Sequence, residues 1–112
     1  MNQTRLNAYR IMWLFVFFDL PTNTKKERKA ASKFRNDLLR DGFTMMQYSV
    51  YIRHCASKEN AEVHSQRVRT MIPEKGQISI LMITDKQYGS IINFWGNKSP
   101  PQTRIGAQLE LF

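Results

Sequence analysis

Ile11-Met12-Trp13-Leu14-Phe15-Val16-Phe17-Phe18-Asp19-Leu20-Pro21 is the stretch that decides the fold. From Ile11 to Phe18 it is aromatic and β-branched with no polar alternation, the pattern of a central strand covered on both faces. Asp19 ends the strand, and Pro21 separates it from the next element. The eight apolar residues fall short of the roughly 20 that a membrane-spanning helix needs, and they lack helical amphipathicity. Arg5 and Arg10 precede the run as in a signal peptide, but Asp19-Leu20-Pro21 stands where cleavage would require small residues.

Downstream, Thr24-Lys25-Lys26-Glu27 is a capping-box pattern and predicts a helix from about Lys25 to Arg40, stopped at Gly42. Its apolar face carries Ala30, Ala31, Phe34 and Leu38. Phe43 to Met46 and Tyr48 to His54 read as two strands meeting near Gln47, with Tyr48, Val50 and Ile52 on one face and Ser49, Tyr51 and Arg53 on the other. Lys58 to Met71 is a second amphipathic helix, with Ala61, Val68, Met71 and Ile72 turned inward and Pro73 ending it. Ile78 to Thr84 is a further strand. Thr84-Asp85-Lys86-Gln87 is a second capping box, and Tyr88, Ile91, Ile92 and Trp95 recur at helical spacing, so a short third helix is expected up to Gly96.

Strand, helix, strand, strand, helix, strand is the split βαβ order of an α+β, ferredoxin-like βαββαβ fold over residues 11–96. Residues 1–10 read as a polar, flexible N-terminal arm. Residues 97–112 read as a linker around Lys98-Ser99-Pro100-Pro101 followed by a C-terminal strand, Ala107 to Phe112, suited to pairing with a neighbouring chain as a swapped strand. In this fold both main helices cover one sheet face. Trp13, Phe15 and Phe17 share the other, and a second subunit is its simplest cover, which makes a homodimer the expectation.

With 112 residues the chain has room for one core. Lys and Arg number 17 against 9 Asp and Glu, a net of +8, which favours a polyanionic partner, nucleic acid or an anionic membrane surface. Seven basic and three acidic residues between Lys25 and Asp41 put +4 of that charge on the first helix. Lys25, Arg28, Lys29, Lys33, Arg35 and Arg40 are the candidates for phosphate contact, with a solvated helix face as the alternative. Cys55 is the lone cysteine, which fits a reducing, cytoplasmic compartment.

Asp19 is the leading candidate for chemistry. A carboxylate at the C-terminal end of a buried strand lies where ligands commonly bind, and a two-fold axis that brought two copies together would make a pair suited to Mg²⁺. The alternative is a turn-former that accepts backbone hydrogen bonds ahead of Pro21. Ser49, Tyr51 and Arg53 are candidates for a cleft beside Asp19, with Tyr51 packed in a subunit interface as the competing reading. His54, Cys55 and His64 do not have the spacing of a zinc site, and His64 reads as a structural residue on the edge of its helix's apolar face. No glycine-rich phosphate loop or Ser-His-Asp spacing supports nucleotide hydrolysis or acyl transfer.

Three segments resemble a known family. Phe15-Val16-Phe17-Phe18-Asp19-Leu20-Pro21-Thr22 is similar to the first strand and acidic terminus of the CRISPR-associated protein two (Cas-two) family. Gly42-Phe43 with Gln47-Tyr48-Ser49-Val50-Tyr51 is similar to its second signature, and Gly76 to Gln87 to a third. The details look closest to members found with type II systems. Phe18 stands where many members carry Tyr, and Met45 where some carry arginine. The resemblance implies a homodimer whose C-terminal strands reach the partner's sheet. It also implies a role in CRISPR adaptation, bridging subunits of the CRISPR-associated integrase and holding duplex DNA. For some members it implies a Mg²⁺-dependent endonuclease acting on RNA or DNA through the aspartate at the position of Asp19. Two other readings are a free-standing toxin-like endoribonuclease, similar to the virulence-associated D family, and a non-catalytic RNA-binding module, although the Lys/Arg-Gly-aromatic signature of such modules is missing from the strands.

Overall fold

The computed structural model describes residues 10–96. The N-terminal arm short of Arg10, the linker and the C-terminal strand lie outside the described residues. The elements are β1 (Met12–Asp19), α1 (Lys25–Arg40), β2 (Thr44–Gln47), β3 (Val50–Cys55), α2 (Lys58–Met71), β4 (Gln77–Thr84) and a single turn, α3 (Asp85–Tyr88). The sheet order is β2-β3-β1-β4 with every pairing antiparallel, which is the ferredoxin-like arrangement.

β1 is central, as its composition requires. It pairs with β3 from Met12 opposite Cys55 to Phe17 opposite Val50, and with β4 from Met12 opposite Thr84 to Asp19 opposite Gln77. Strand alternation then sorts its side chains. Leu14, Val16 and Phe18 point under the helices and are buried with Phe34, Leu38, Phe43, Tyr51, Cys55, Ala61 and Val68. Ile78, Ile80 and Met82 of β4 close the same core. Burying a side chain such as Phe34 or Leu38 contributes about 1.5–3 kcal/mol.

Local signals fix the helix ends. Thr24 Oγ1 accepts the Glu27 N–H at 3.1 Å, while Glu27 Oε1 accepts the Thr24 N–H at 3.0 Å. At the far end Gly42 has φ +94, the Phe43 N–H donates to the Leu38 carbonyl and the Gly42 N–H to the Leu39 carbonyl. These are the two bonds of a Schellman ending, and the buried Phe43 and Leu38 supply its apolar contact. Ser57 caps α2 by accepting the Asn60 N–H.

Three expectations need correction. Tyr48 and Ser49 form the β2–β3 turn rather than the start of β3, with Ser49 at φ +67. α3 does not continue through Ile91, Ile92 and Trp95: after Gly89 the ladder tightens to i−3 bonds, with both the Ser90 N–H and its Oγ donating to the Gln87 carbonyl. The Ile91 N–H bonds the Tyr88 carbonyl in the same way, and residues 91–96 have no regular structure. Ile72 is exposed rather than inward, since the residue before Pro73 adopts extended backbone and leaves the helix.

The open sheet face is partly covered. α3 lays Tyr88 flat on Trp13 with ring centroids 3.9 Å apart, and Trp13 Nε1 donates to Asp85 Oδ1 at 2.7 Å. Beyond that clamp Phe17 and Leu81 remain 38% and 47% exposed. No helix among the described residues is long and apolar enough to cross a membrane.

Candidate nucleic-acid interface and the Asp19 end

Asp19 sits at the last pairing of β1, exposed, with no hydrogen bond or ion pair to its carboxylate among the described residues. Three connections meet around it. The β1–α1 loop leaves from it. The β2–β3 turn abuts it, with the Ser49 carbonyl accepting the Phe18 N–H at 3.1 Å and Ser49 itself at φ +67, in the left-handed region. The α2–β4 loop backs onto it through Gly76 at φ +109, where an added Cβ would lie 2.6 Å from Leu20 Cδ2 and 2.9 Å from the Asp19 carbonyl oxygen.

The structure does not gather the expected cleft. Ser49 reaches the strand end through its backbone. Tyr51 is buried under the helices against Phe18, ring centroids 5.5 Å apart, because β3 alternation turns it into the core. Arg53 stands opposite Leu14, five residues back along β1 and about 17 Å from Asp19 at the usual strand rise. Alternation assigns a residue's face but not its distance along the strand.

α1 presents the basic face as expected, and pairing divides it. Asp37 accepts Lys33 at 2.9 Å and Arg40 at 2.7 Å, and the Lys33 hydrogen bond, helped by Arg40, holds the Asp37 carboxyl below its ordinary range. Arg35 reaches back to Ser32. Lys25, Lys26 and Lys29 are exposed and have no carboxylate partner among the described residues. Arg28 donates to the carbonyls of Thr22 and Asn23 and ties the helix to the loop that follows Asp19. Most of the unneutralised charge of α1 therefore lies in its first turns, at the end of the helix that follows Asp19 in the chain, with Arg35 further along. Lys26 belongs to it and was absent from the sequence candidates, because it falls off the stripe that contains Lys25, Lys29 and Lys33.

At the other end of α1 a different cluster forms that sequence reading missed. Asp41 accepts His64 Nδ1 at 2.7 Å and Arg67 at 2.9 Å, and its carbonyl accepts Arg53 Nε at 2.8 Å. Burial pushes the Asp41 carboxyl up, but the His64 and Arg67 hydrogen bonds outweigh it and hold the group below its ordinary range. His54 and Cys55 leave β3 on opposite faces, the first against Trp13 and the second into the core, where burial pushes the thiol up. Among the described residues no three His, Cys, Asp or Glu side chains come together to hold a metal ion. Asp19 alone offers one oxygen-donor group, so its carboxylate fits Mg²⁺ only if water and a second chain complete the shell.

Fold and site together define a small, basic ferredoxin-like protein whose central strand ends on an exposed carboxylate. Residues 12–91 match the family model described as CRISPR associated protein Cas2, and the chain belongs to that family. It is 58% identical over 111 residues to a CRISPR-associated endoribonuclease Cas2 of Flavobacterium psychrophilum, covering 99% of this chain and 96% of that one. A protein of the same name from Parvibaculum lavamentivorans is 56% identical, covering 90% of this chain and 100% of that one. A structure described as a crystal structure of cas2 superposes with a TM-score of 0.56 at 19% identity, covering 85% of this chain and 99% of that one, and supports the fold.

Proposed function

We propose that the chain is a cytoplasmic, homodimeric subunit of the CRISPR spacer-acquisition machinery, bridging integrase subunits and holding duplex DNA. The observation that carries this reading is the cluster of Lys25, Lys26 and Lys29, exposed and lacking carboxylate partners among the described residues, with Arg28 alongside. Such a surface binds phosphates by releasing counterions, without regard to sequence. A dimer would present it twice. Phe17 and Leu81, left exposed on the open face, supply apolar surface for a second copy.

A second activity, phosphodiester cleavage of RNA or DNA, is favoured by the exposed Asp19 carboxylate. The names of the relatives, CRISPR-associated endoribonuclease, point the same way. Asp19 from two chains would hold Mg²⁺, which when bound activates water and neutralises charge on the phosphate. The residues of α1 would position the strand, and Gly76 and Ser49 would hold the Asp19 backbone in place. The same chemistry in a free-standing dimer would make it a toxin-like endoribonuclease.

The test uses the full chain with and without its integrase partner, on short duplex DNA and RNA, for wild type and Asp19→Asn. Cleavage that depends on Mg²⁺ and vanishes in Asp19→Asn while duplex binding survives assigns the chemistry to Asp19. Joint assembly on duplex DNA by both proteins with no cleavage leaves scaffolding as the function. Cleavage of RNA by the isolated dimer and no association with the integrase favours the toxin-like reading.

A further inference from the structure

Tyr48 is the most exposed residue of the β2–β3 turn that abuts Asp19. The residue is 75% exposed, and its side chain has no ring contact or hydrogen bond among the described residues. The other tyrosines in the described part of the chain are engaged: Tyr51 packs on Phe18 and Tyr88 stacks on Trp13. An aromatic side chain left in water contributes little to folding, because the gain comes from apolar area removed from water.

Its position is also held at a conformational expense. Ser49, next in the chain, occupies the left-handed region at φ +67, a conformation that is costly for a residue with a side chain. The Ser49 carbonyl is pinned to the Phe18 N–H at 3.1 Å. Standard backbone lengths then keep the Cα atoms of Tyr48 and Asp19 within about 15 Å of each other. The same end of the molecule carries the unneutralised lysines of α1. An exposed ring at the same end as a cluster of unneutralised cations is the combination by which proteins hold unpaired nucleotides, the cations tracking the backbone and the ring stacking on a base.

We propose that Tyr48, at the tip of the β2–β3 turn beside Asp19, is a stacking platform for an unpaired base of single-stranded nucleic acid whose phosphates lie against the first turns of α1. The inference rests on the reading of α1 as a phosphate-binding surface and adds to it a ligand class, single-stranded ends, that a duplex-binding scaffold alone does not require.

The experiment measures fluorescence anisotropy of the full chain with a labelled oligothymidine strand and with a labelled duplex, at one fixed salt concentration, for wild type, Tyr48→Ala and Tyr48→Phe. Stacking of one base predicts that Tyr48→Ala weakens single-strand binding by roughly tenfold, leaves duplex binding within about twofold, and that Tyr48→Phe restores the loss. A parallel photo-crosslink of wild type to 4-thiothymidine oligonucleotide should map to Tyr48, which keeps the proposal decidable if Tyr48→Ala misfolds. Equal affinity of Tyr48→Ala and wild type for the single strand, equal losses on both ligands, or a crosslink confined to other residues overturns it. So does a variant that keeps single-strand affinity but loses self-association or integrase association, which would make Tyr48 a protein contact. If wild type binds neither ligand, the phosphate-binding reading of α1 fails first. If it binds duplex normally and Tyr48 has no effect, only the stacking proposal fails.

Discussion

Two aspartates flank α1, and their surroundings are opposite. Asp41, just past the C-terminal end, is half-buried with its side chain shielded, His64 and Arg67 on its carboxylate and Arg53 on its carbonyl. Asp19, ahead of the N-terminal end, is exposed, with no side-chain partner among the described residues. About 24 Å of helix separates them, from 16 residues at the α-helical rise. One carboxylate has both of its oxygens engaged in joining the end of α1 to α2, while the backbone carbonyl of the same residue holds Arg53 of β3. The other has its oxygens available for something outside the chain. A carboxylate with both oxygens engaged inside the chain serves the fold, whereas one left open beside unneutralised cations is where a ligand can act.

The comparison breaks first at Asp41. Asp41→Ala should lower unfolding free energy by about 1–3 kcal/mol, because it leaves the buried His64 ring without its partner while the exposed Arg67 turns to water, whereas Asp19→Asn should stay within about 0.5 kcal/mol of wild type; urea unfolding of both decides. The pH response follows from the depressed Asp41 carboxyl. The unfolded chain binds that proton more readily, so the contribution is fully present above the ordinary carboxylate pKa and is lost as pH falls through the lower folded value. Asp41→Asn should flatten this acid limb in a pH series of unfolding curves.

Gly76→Ala probes the Asp19 end from behind. The positive φ and the approach of an added Cβ to Leu20 and the Asp19 carbonyl predict a loss of about 1–3 kcal/mol. Gly96→Ala, with nothing within 4 Å, should be close to neutral by the same thermal melt. A smaller effect is expected at Asp37. Asp37→Asn frees Lys33 and Arg40 at a stability change of about 0.5 kcal/mol, and duplex affinity at low salt should rise several-fold in a binding titration.

Much of this contrast was legible in the sequence, and the limits are physical. β1, α1 and α2 announce themselves through an apolar run, a capping box and a periodic face, all local signals. Asp19 was legible because chain order alone places it at a strand end. The Asp41 cluster was not, since its partners stand 23 and 26 residues away and only the packing of α1 on α2 unites them. Arg53 shows the converse: the period of the strand gave its face correctly but left its distance from Asp19 open until the register with Leu14 was known. The third helix stopped where helical spacing gives no warning, in an i−3 turn after Gly89 in which Ser90 bonds the Gln87 carbonyl through its N–H and its hydroxyl.

The central claim is that the first turns of α1 bind polyanion through unneutralised charge. Its most direct test is the salt dependence of duplex DNA affinity for wild type and for the combined Lys25→Gln, Arg28→Gln, Lys29→Gln variant, with circular dichroism confirming the fold. The account predicts a steep linear fall of log affinity with log salt for wild type, and a slope shallower by about 0.9 for each phosphate contact removed in the variant. A flat wild-type response, or a variant with the wild-type slope, would contradict it.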